Sequence, residues 1–145
     1  MKLQLSIKDD GFSFAETIAA IAIMLILTAG VGFAAYKIID NAKTASVKTQ
    51  IEVYKTALHT YYFDCGVYPN EAQGLQSLFE KPVIAPVSNS WNGPYIDRQV
   101  QKDPWGNDYI YKTTNDQGLP FILYSLGADG ILGGEGKNED IVSWK

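Results

Sequence analysis

The chain has 145 residues, a net charge of −4 at pH 7 and a sequence pI near 4.9. Its acidic balance, with no basic stripe, gives no electrostatic reason to bind nucleic acid. A single cysteine, Cys65, excludes an internal disulfide framework and any multi-cysteine metal site, and a single histidine, His59, excludes a multi-histidine site.

Residues 1–11 are short and polar, with Lys2 and Lys8 preceding an apolar run. From Thr17 to Tyr36 there is no charged residue, and Ile18, Ile21, Ile23, Met24, Leu25, Ile26, Leu27, Val31 and Phe33 fall within that stretch. Roughly twenty such residues suffice to cross a bilayer as a helix. Lys2 and Lys8 would stay on the cytoplasmic side, which puts the rest of the chain outside the inner membrane. Three readings fit this segment. One is a cleaved signal peptide ending at Gly32-Phe33-Ala34, although the run is longer than the about 7–15 residues usual there. The second is a plain signal anchor. The third makes use of Glu16, a carboxylate just inside the run, whose burial in lipid would cost a few kcal/mol unless it has a partner. If the chain is cut after Gly11, the new amine on Phe12 lies four residues before Glu16, on one helical face. The carboxylate also sits at the positive end of the helix dipole. It can pair with its own amine or with that of a neighbouring copy.

Gly11-Phe12-Ser13-Phe14-Ala15-Glu16 followed by an apolar helix resembles the processing site of type IV pilins and type II secretion pseudopilins. The resemblance implies cleavage by a prepilin peptidase between Gly11 and Phe12, N-methylation of Phe12, and a pairing role for Glu16. Residues 1–11 are then a leader, 12–36 a transmembrane segment, and 37–145 a periplasmic pilin-like domain that includes the second half of the helix.

Beyond Lys37 the sequence turns amphipathic. Val47, Ile51, Tyr54, Leu58 and Tyr61 recur at spacings of four, three, four and three, a helical stripe, with Lys43, Lys48, Glu52 and Lys55 largely off it. The pattern predicts one helix from about Phe12 to about Asp64. His59 reads as a helix-surface residue, Cys65 as a half-buried small apolar one, and Tyr61, Tyr62 and Phe63 as core. Gly66 suits a helix C-cap and Pro69 blocks continuation. Asn70 and Gln73 form a capping-box pattern, predicting a short helix through Leu75, Leu78 and Phe79 that ends before Pro82.

Residues 82–102 read as loop, and Asp103-Pro104-Trp105-Gly106-Asn107 as a turn. Residues 109–113 and 121–125 read as two antiparallel strands joined by a loop at Asn115-Asp116-Gln117-Gly118 and laid on the long helix. The expected fold class is therefore α+β, a long N-terminal helix packed on a small antiparallel sheet. Next comes a glycine-rich loop with hard oxygens at Asp129, Glu135, Asn138, Glu139 and Asp140. Calcium takes about six to eight oxygens from a loop flexible enough to wrap it. The spacing is not that of an EF-hand, so a solvated acidic loop and a calcium loop both fit. No phosphate-loop lysine follows the glycines.

Asp64-Cys65-Gly66-Val67-Tyr68-Pro69, Gln73-Gly74-Leu75-Gln76-Ser77-Leu78, Lys102-Asp103-Pro104-Trp105-Gly106-Asn107, Ser125-Leu126-Gly127-Ala128-Asp129-Gly130 and Asp140-Ile141-Val142-Ser143-Trp144 resemble, in order and spacing, the major pseudopilins of type II secretion. The resemblance implies one Ca2+ held by the Leu126 carbonyl and by Asp129, Asn138 and Asp140, with a further carbonyl near Gly134. Asn138 stands where the family usually has aspartate, which removes one negative charge. The implied role is a structural subunit of the periplasmic pseudopilus, which drives export through the outer membrane. Its partners would be further copies in a helical filament, minor pseudopilins, an inner-membrane assembly platform and the prepilin peptidase. The alternatives are a type IV or competence pilin, which usually carries a C-terminal cysteine pair, and a membrane-anchored, calcium-stabilised binding module. No carboxylate pair or histidine arrangement points to catalysis, and the chain is expected not to be an enzyme.

Overall fold

A computed structural model describes residues 11–114 and 118–144. Leader residues 1–10, including Lys2 and Lys8, and loop residues Asn115, Asp116 and Gln117 lie outside the described set. The chain divides into two compact units, residues 1–39 and 40–145, which share one helix, α1 (Phe14–Cys65).

In the first unit α1 begins two residues later than its pattern predicts, because Ser13 serves as its cap. The Ser13 N–H donates to Glu16 Oε2 at 2.7 Å, and the Glu16 N–H donates to Ser13 Oγ at 3.3 Å. This is a reciprocal capping box that satisfies two otherwise orphaned donors. The Thr28 hydroxyl folds back to donate to the Met24 carbonyl at 2.7 Å, so it leaves no unpaired polar group. Most apolar side chains along this stretch are exposed. Among the described residues no helix is long and apolar enough to cross a membrane. The uncharged run expected to do so includes Phe33 and Ala34, whose side chains are outside the described set.

In the second unit the predicted stripe is the centre of the core. Val47, Ile51, Tyr54, Leu58 and Tyr61 are all buried, with Ala57 between them. Leu75, Leu78, Ile96, Phe121, Leu123 and Ile141 cover them. Gly66, at φ +76°, ends the helix, its N–H donating to the Tyr62 carbonyl at 2.8 Å. The expected Asn70–Gln73 box is present. The Asn70 N–H donates to Gln73 Oε1 and the Gln73 N–H to Asn70 Oδ1, both at 2.9 Å. The box leads into a 3-10 turn, Leu75–Leu78, rather than an α-helix. Gln73 is buried and its Nε2 donates to the carbonyls of Ile84 and Pro86, each at 2.7 Å, pinning the next loop. The loop returns to α1 through Tyr95, whose hydroxyl donates to Asp64 Oδ2 at 3.0 Å.

The sheet has three antiparallel strands in the order β1 (Ile110–Thr113), β2 (Phe121–Ser125), β3 (Ile141–Val142). β1 pairs with β2 from Ile110 opposite Tyr124 to Thr113 opposite Phe121. β2 pairs with β3 at Tyr124–Val142 and Ser125–Ile141. Phe121, Leu123 and Ser125 point inward and alternate with half-buried neighbours, the period of a strand with one face on a core. The helix plus small antiparallel sheet is the expected α+β arrangement.

Two further expectations change. Of the aromatic triplet only Tyr61 is core; Tyr62 is exposed and Phe63 is 88% exposed. Each residue turns the helix by about 100°, so only one of three consecutive residues can sit on a narrow stripe. Tyr62 instead stacks on Tyr68, with ring centroids 4.6 Å apart. The third strand has no counterpart in the sequence reading, because two residues carry no alternation and only pairing with β2 defines it.

Burial pushes the Tyr61 hydroxyl up to about 12 and raises Tyr54, Tyr95, Tyr109 and Tyr111 in the same direction. With the folded value above the unfolded one, the stabilisation is complete below pH about 10 and is lost as pH climbs toward Tyr61's folded value. A melting series across that range, read with tyrosinate absorbance, is expected to show unfolding and ionisation occurring together.

Candidate functional site

The processing positions lie at the start of the described chain. Gly11, Phe12 and Ser13 precede the helix, and all three are exposed. Glu16 is in the first turn, but its partner here is the Ser13 N–H rather than the nitrogen of Phe12. The Ser-x-x-Glu spacing is the sequence signal that discloses this cap.

The second candidate is the loop between β2 and β3. Antiparallel pairing ends at Ser125 opposite Ile141, so one step beyond the ladder the register sets Leu126 opposite Asp140. Leu126 and Asp140, two of the four expected metal-binding residues, therefore directly follow and precede the last paired residues of β2 and β3. Asp140 Oδ2 accepts the Gly133 N–H at 2.9 Å, while its other oxygen, Oδ1, is buried without a hydrogen-bond partner. A buried carboxylate oxygen left unpaired is costly and needs a counterpart. Asn138 sits half-buried in the 3-10 turn Gly136–Asn138. Its backbone passes so close to Gly134 (φ +94°) that a Cβ there would lie 2.5 Å from the Asn138 carbonyl oxygen. Asp129 is exposed, with Oδ1 accepting the Ile131 N–H at 3.1 Å.

The donor set is two carboxylates, one amide and main-chain carbonyls, all hard oxygens suited to calcium. Among the described residues no group of three or more His, Cys, Asp or Glu could hold a metal. A site here would therefore carry little charge and draw on neutral oxygens. The unpaired Asp140 Oδ1 is the observation that fits a cation. His59 belongs to neither site; its Nδ1 lies 3.0 Å from the Tyr68 hydroxyl.

Behind the loop is a buried carboxylate that the sequence marks only as a turn residue. Asp103 is 5% exposed. Its Oδ1 accepts the N–H groups of Trp105 at 3.0 Å and Asn107 at 2.8 Å, and its Oδ2 accepts the Ser125 hydroxyl at 2.6 Å. Ser125 Oγ in turn accepts the Gly127 N–H at 3.2 Å. The turn at 103–107 is thereby fastened to the end of β2, where the metal-loop candidate begins.

Residues 35–144 match the family model described as "Type II secretion system (T2SS), protein G". The chain is 37% identical over 137 residues to the type II secretion system core protein G of Pseudomonas aeruginosa, spanning 94% of this chain and 96% of that one. It is 38% identical over 140 residues to the core protein G of Vibrio cholerae serotype O1, spanning 94% and 92%. Among solved structures, the major pseudopilin from the type 2 secretion system of enterohaemorrhagic Escherichia coli aligns with a TM-score of 0.62 at 30% identity. That alignment covers 75% of this chain and 92% of that one.

Replacing Asp103 by alanine removes the acceptor of two half-buried backbone donors and of the buried Ser125 hydroxyl. Asp103→Ala is expected to cost at least about 1–3 kcal/mol in denaturant unfolding. Lys102→Ala removes only an exposed ion pair to Asp108 at 3.7 Å and is expected to cost less than about 1 kcal/mol.

Proposed function

The chain belongs to the type II secretion system protein G family and is a structural subunit of the pseudopilus; from that premise we propose how its parts divide the work. It is made with the leader 1–11, which a prepilin peptidase removes after Gly11, and the new Phe12 amine is methylated. The uncharged run within residues 12–36 anchors the precursor in the inner membrane, with residues 37–145 in the periplasm. Released subunits then stack into a helical filament with their apolar helices against one another. In the filament Glu16 meets the amine of a neighbouring copy. Minor pseudopilins and an inner-membrane platform take part in assembly, and the growing filament moves substrates toward the outer membrane. The role is mechanical, without catalysis.

Exposure of the apolar side chains of α1 supports this reading. Ile18, Ile21, Ile23, Met24, Leu25, Ile26 and Leu27 are each more than half exposed, and an isolated subunit cannot leave such a surface in water. Lipid before assembly and neighbouring copies afterwards would cover it. The exposed Phe12 ring and the satisfied Ser13–Glu16 cap fit a segment that is cut just before a preformed helix start. A filament of the secretion type is favoured over an adhesive pilus because the family match spans most of the chain.

Calcium would be held by the Leu126 carbonyl and by Asp129, Asn138 and Asp140. When bound it supplies positive charge to the unpaired Asp140 oxygen and ties the two ends of the loop together. With Asn138 neutral, the site is expected to bind calcium more weakly than one with aspartate there.

Mass spectrometry of the mature protein from its host membrane tests the processing. The expected N-terminus is methylated Phe12; an intact Met1 would sink the processing reading. Thermal melting of the full chain in detergent tests the metal. Millimolar calcium is expected to raise the melting temperature, and Asp140→Ala to abolish the rise. A calcium-independent melt would remove the site.

A further inference from the structure

Asn107 uses its backbone and its side chain for different purposes. Its carbonyl accepts the Asp103 N–H at 2.8 Å and its N–H donates to Asp103 Oδ1 at 2.8 Å, so the turn at 103–107 closes without the Asn107 side chain. That side chain is left over, and it reaches twenty residues along the sequence. Asn107 Nδ2 donates to the Gly127 carbonyl at 2.9 Å. The segment after Gly127 curls over the amide so closely that a Cβ on Gly130 would stand 2.9 Å from Asn107 Oδ1. Gly127 is therefore gripped at both ends, its N–H by Ser125 Oγ and its carbonyl by Asn107.

Residues 126–130 contain two of the four proposed calcium ligands, the Leu126 carbonyl and the Asp129 side chain. From within the loop the segment is held by one long bond, from the Ala128 N–H to the Lys137 carbonyl at 3.4 Å. Asp129 is exposed, and its Oδ1 reaches only to the Ile131 N–H two residues on. The bond from Asn107 comes from a different part of the chain, and it is anchored to a buried carboxylate. It fixes the peptide plane that follows Gly127, while the Ser125 hydroxyl fixes the one before it, and together they set the entry to the ligand segment.

We propose that Asn107 is a positioning residue for the calcium site, orienting the Leu126–Asp129 segment without contacting the ion; this rests on the calcium reading above. Partners that orient metal ligands from behind typically account for about 10–100-fold in metal affinity. In a site with two carboxylates, where geometry has to compensate for missing charge, such a partner matters most.

Calorimetric titration of the full chain in detergent with calcium chloride, beside melting without calcium, tests this. Asn107→Ala is expected to weaken calcium binding by about tenfold or more while the calcium-free melting temperature moves by only a few degrees. Asn107→Ser, which keeps a turn-compatible polar residue too short to reach Gly127, is expected to do the same and serves if the alanine variant folds poorly. Leu78→Val, a core change remote from the loop, is expected to lower the calcium-free melting temperature and leave affinity unchanged. Unaltered affinity in both Asn107 variants overturns the proposal while the calcium reading stands. So does an equal loss of affinity in Leu78→Val, since the effect would then be one of general stability. Failure of the wild-type chain to bind calcium overturns the calcium reading and this proposal with it.

Discussion

Burial of one face of α1 is the constraint on which the second unit depends. Val47, Ile51, Tyr54, Leu58 and Tyr61 form the floor, and every other core residue is brought to it by a segment with little structure of its own. The sheet has only three short strands, and the 3-10 turn Leu75–Leu78 has four residues. Elements so small are not stable by themselves. They persist because Leu75, Leu78, Phe121, Leu123 and Ile141 remove apolar surface from water against the helix, and because the buried side chains of Gln73, Asp103 and Ser125 are paired.

Those polar groups divide the unit into two fastenings. Gln73 and Tyr95 hold the stretch after the helix, joining residues 84–95 back to the capping box and to Asp64. Asp103 holds the far end, joining the 103–107 turn to Ser125 and, through Asn107, to the loop between β2 and β3. Asp103 has no cation beside it among these contacts; three hydrogen-bond donors balance its burial. Side-chain links between distant segments thus do much of what a larger core does in a bigger domain.

Patterns that repeat are legible in the sequence, and features fixed by a single distant contact are not. The helical stripe, the Gly66 cap, the Asn70–Gln73 box and the β1–β2 hairpin all have local signatures, and each is present. The helix start differs from its expected place because the helical pattern sets no sharp beginning, whereas the Ser13 hydroxyl three residues before Glu16 fixes one. Composition alone places Tyr62 and Phe63 in the core, although helical rotation excludes them. β3 and the Asp103–Ser125 bond depend on residues about twenty positions apart, and nothing in either segment announces the other. For the calcium loop, residue types supply the candidate ligands. The strand register that sets Leu126 opposite Asp140, and the unpaired Asp140 oxygen, emerge only in three dimensions.

The spacing of the α1 stripe also governs which kinds of genetic change the domain can absorb. From Val47 to Tyr61 the buried positions follow a seven-residue rhythm in which most substitutions between the stripe positions fall on the outer faces. A single inserted or deleted residue inside that interval would swing one half of the stripe by about 100° and carry its apolar residues out of the core. Divergence in this part of the helix is therefore confined to exchange of residues at fixed length. Gains and losses of residues are expected instead in the loops between the fastenings, where the chain is held at a few points.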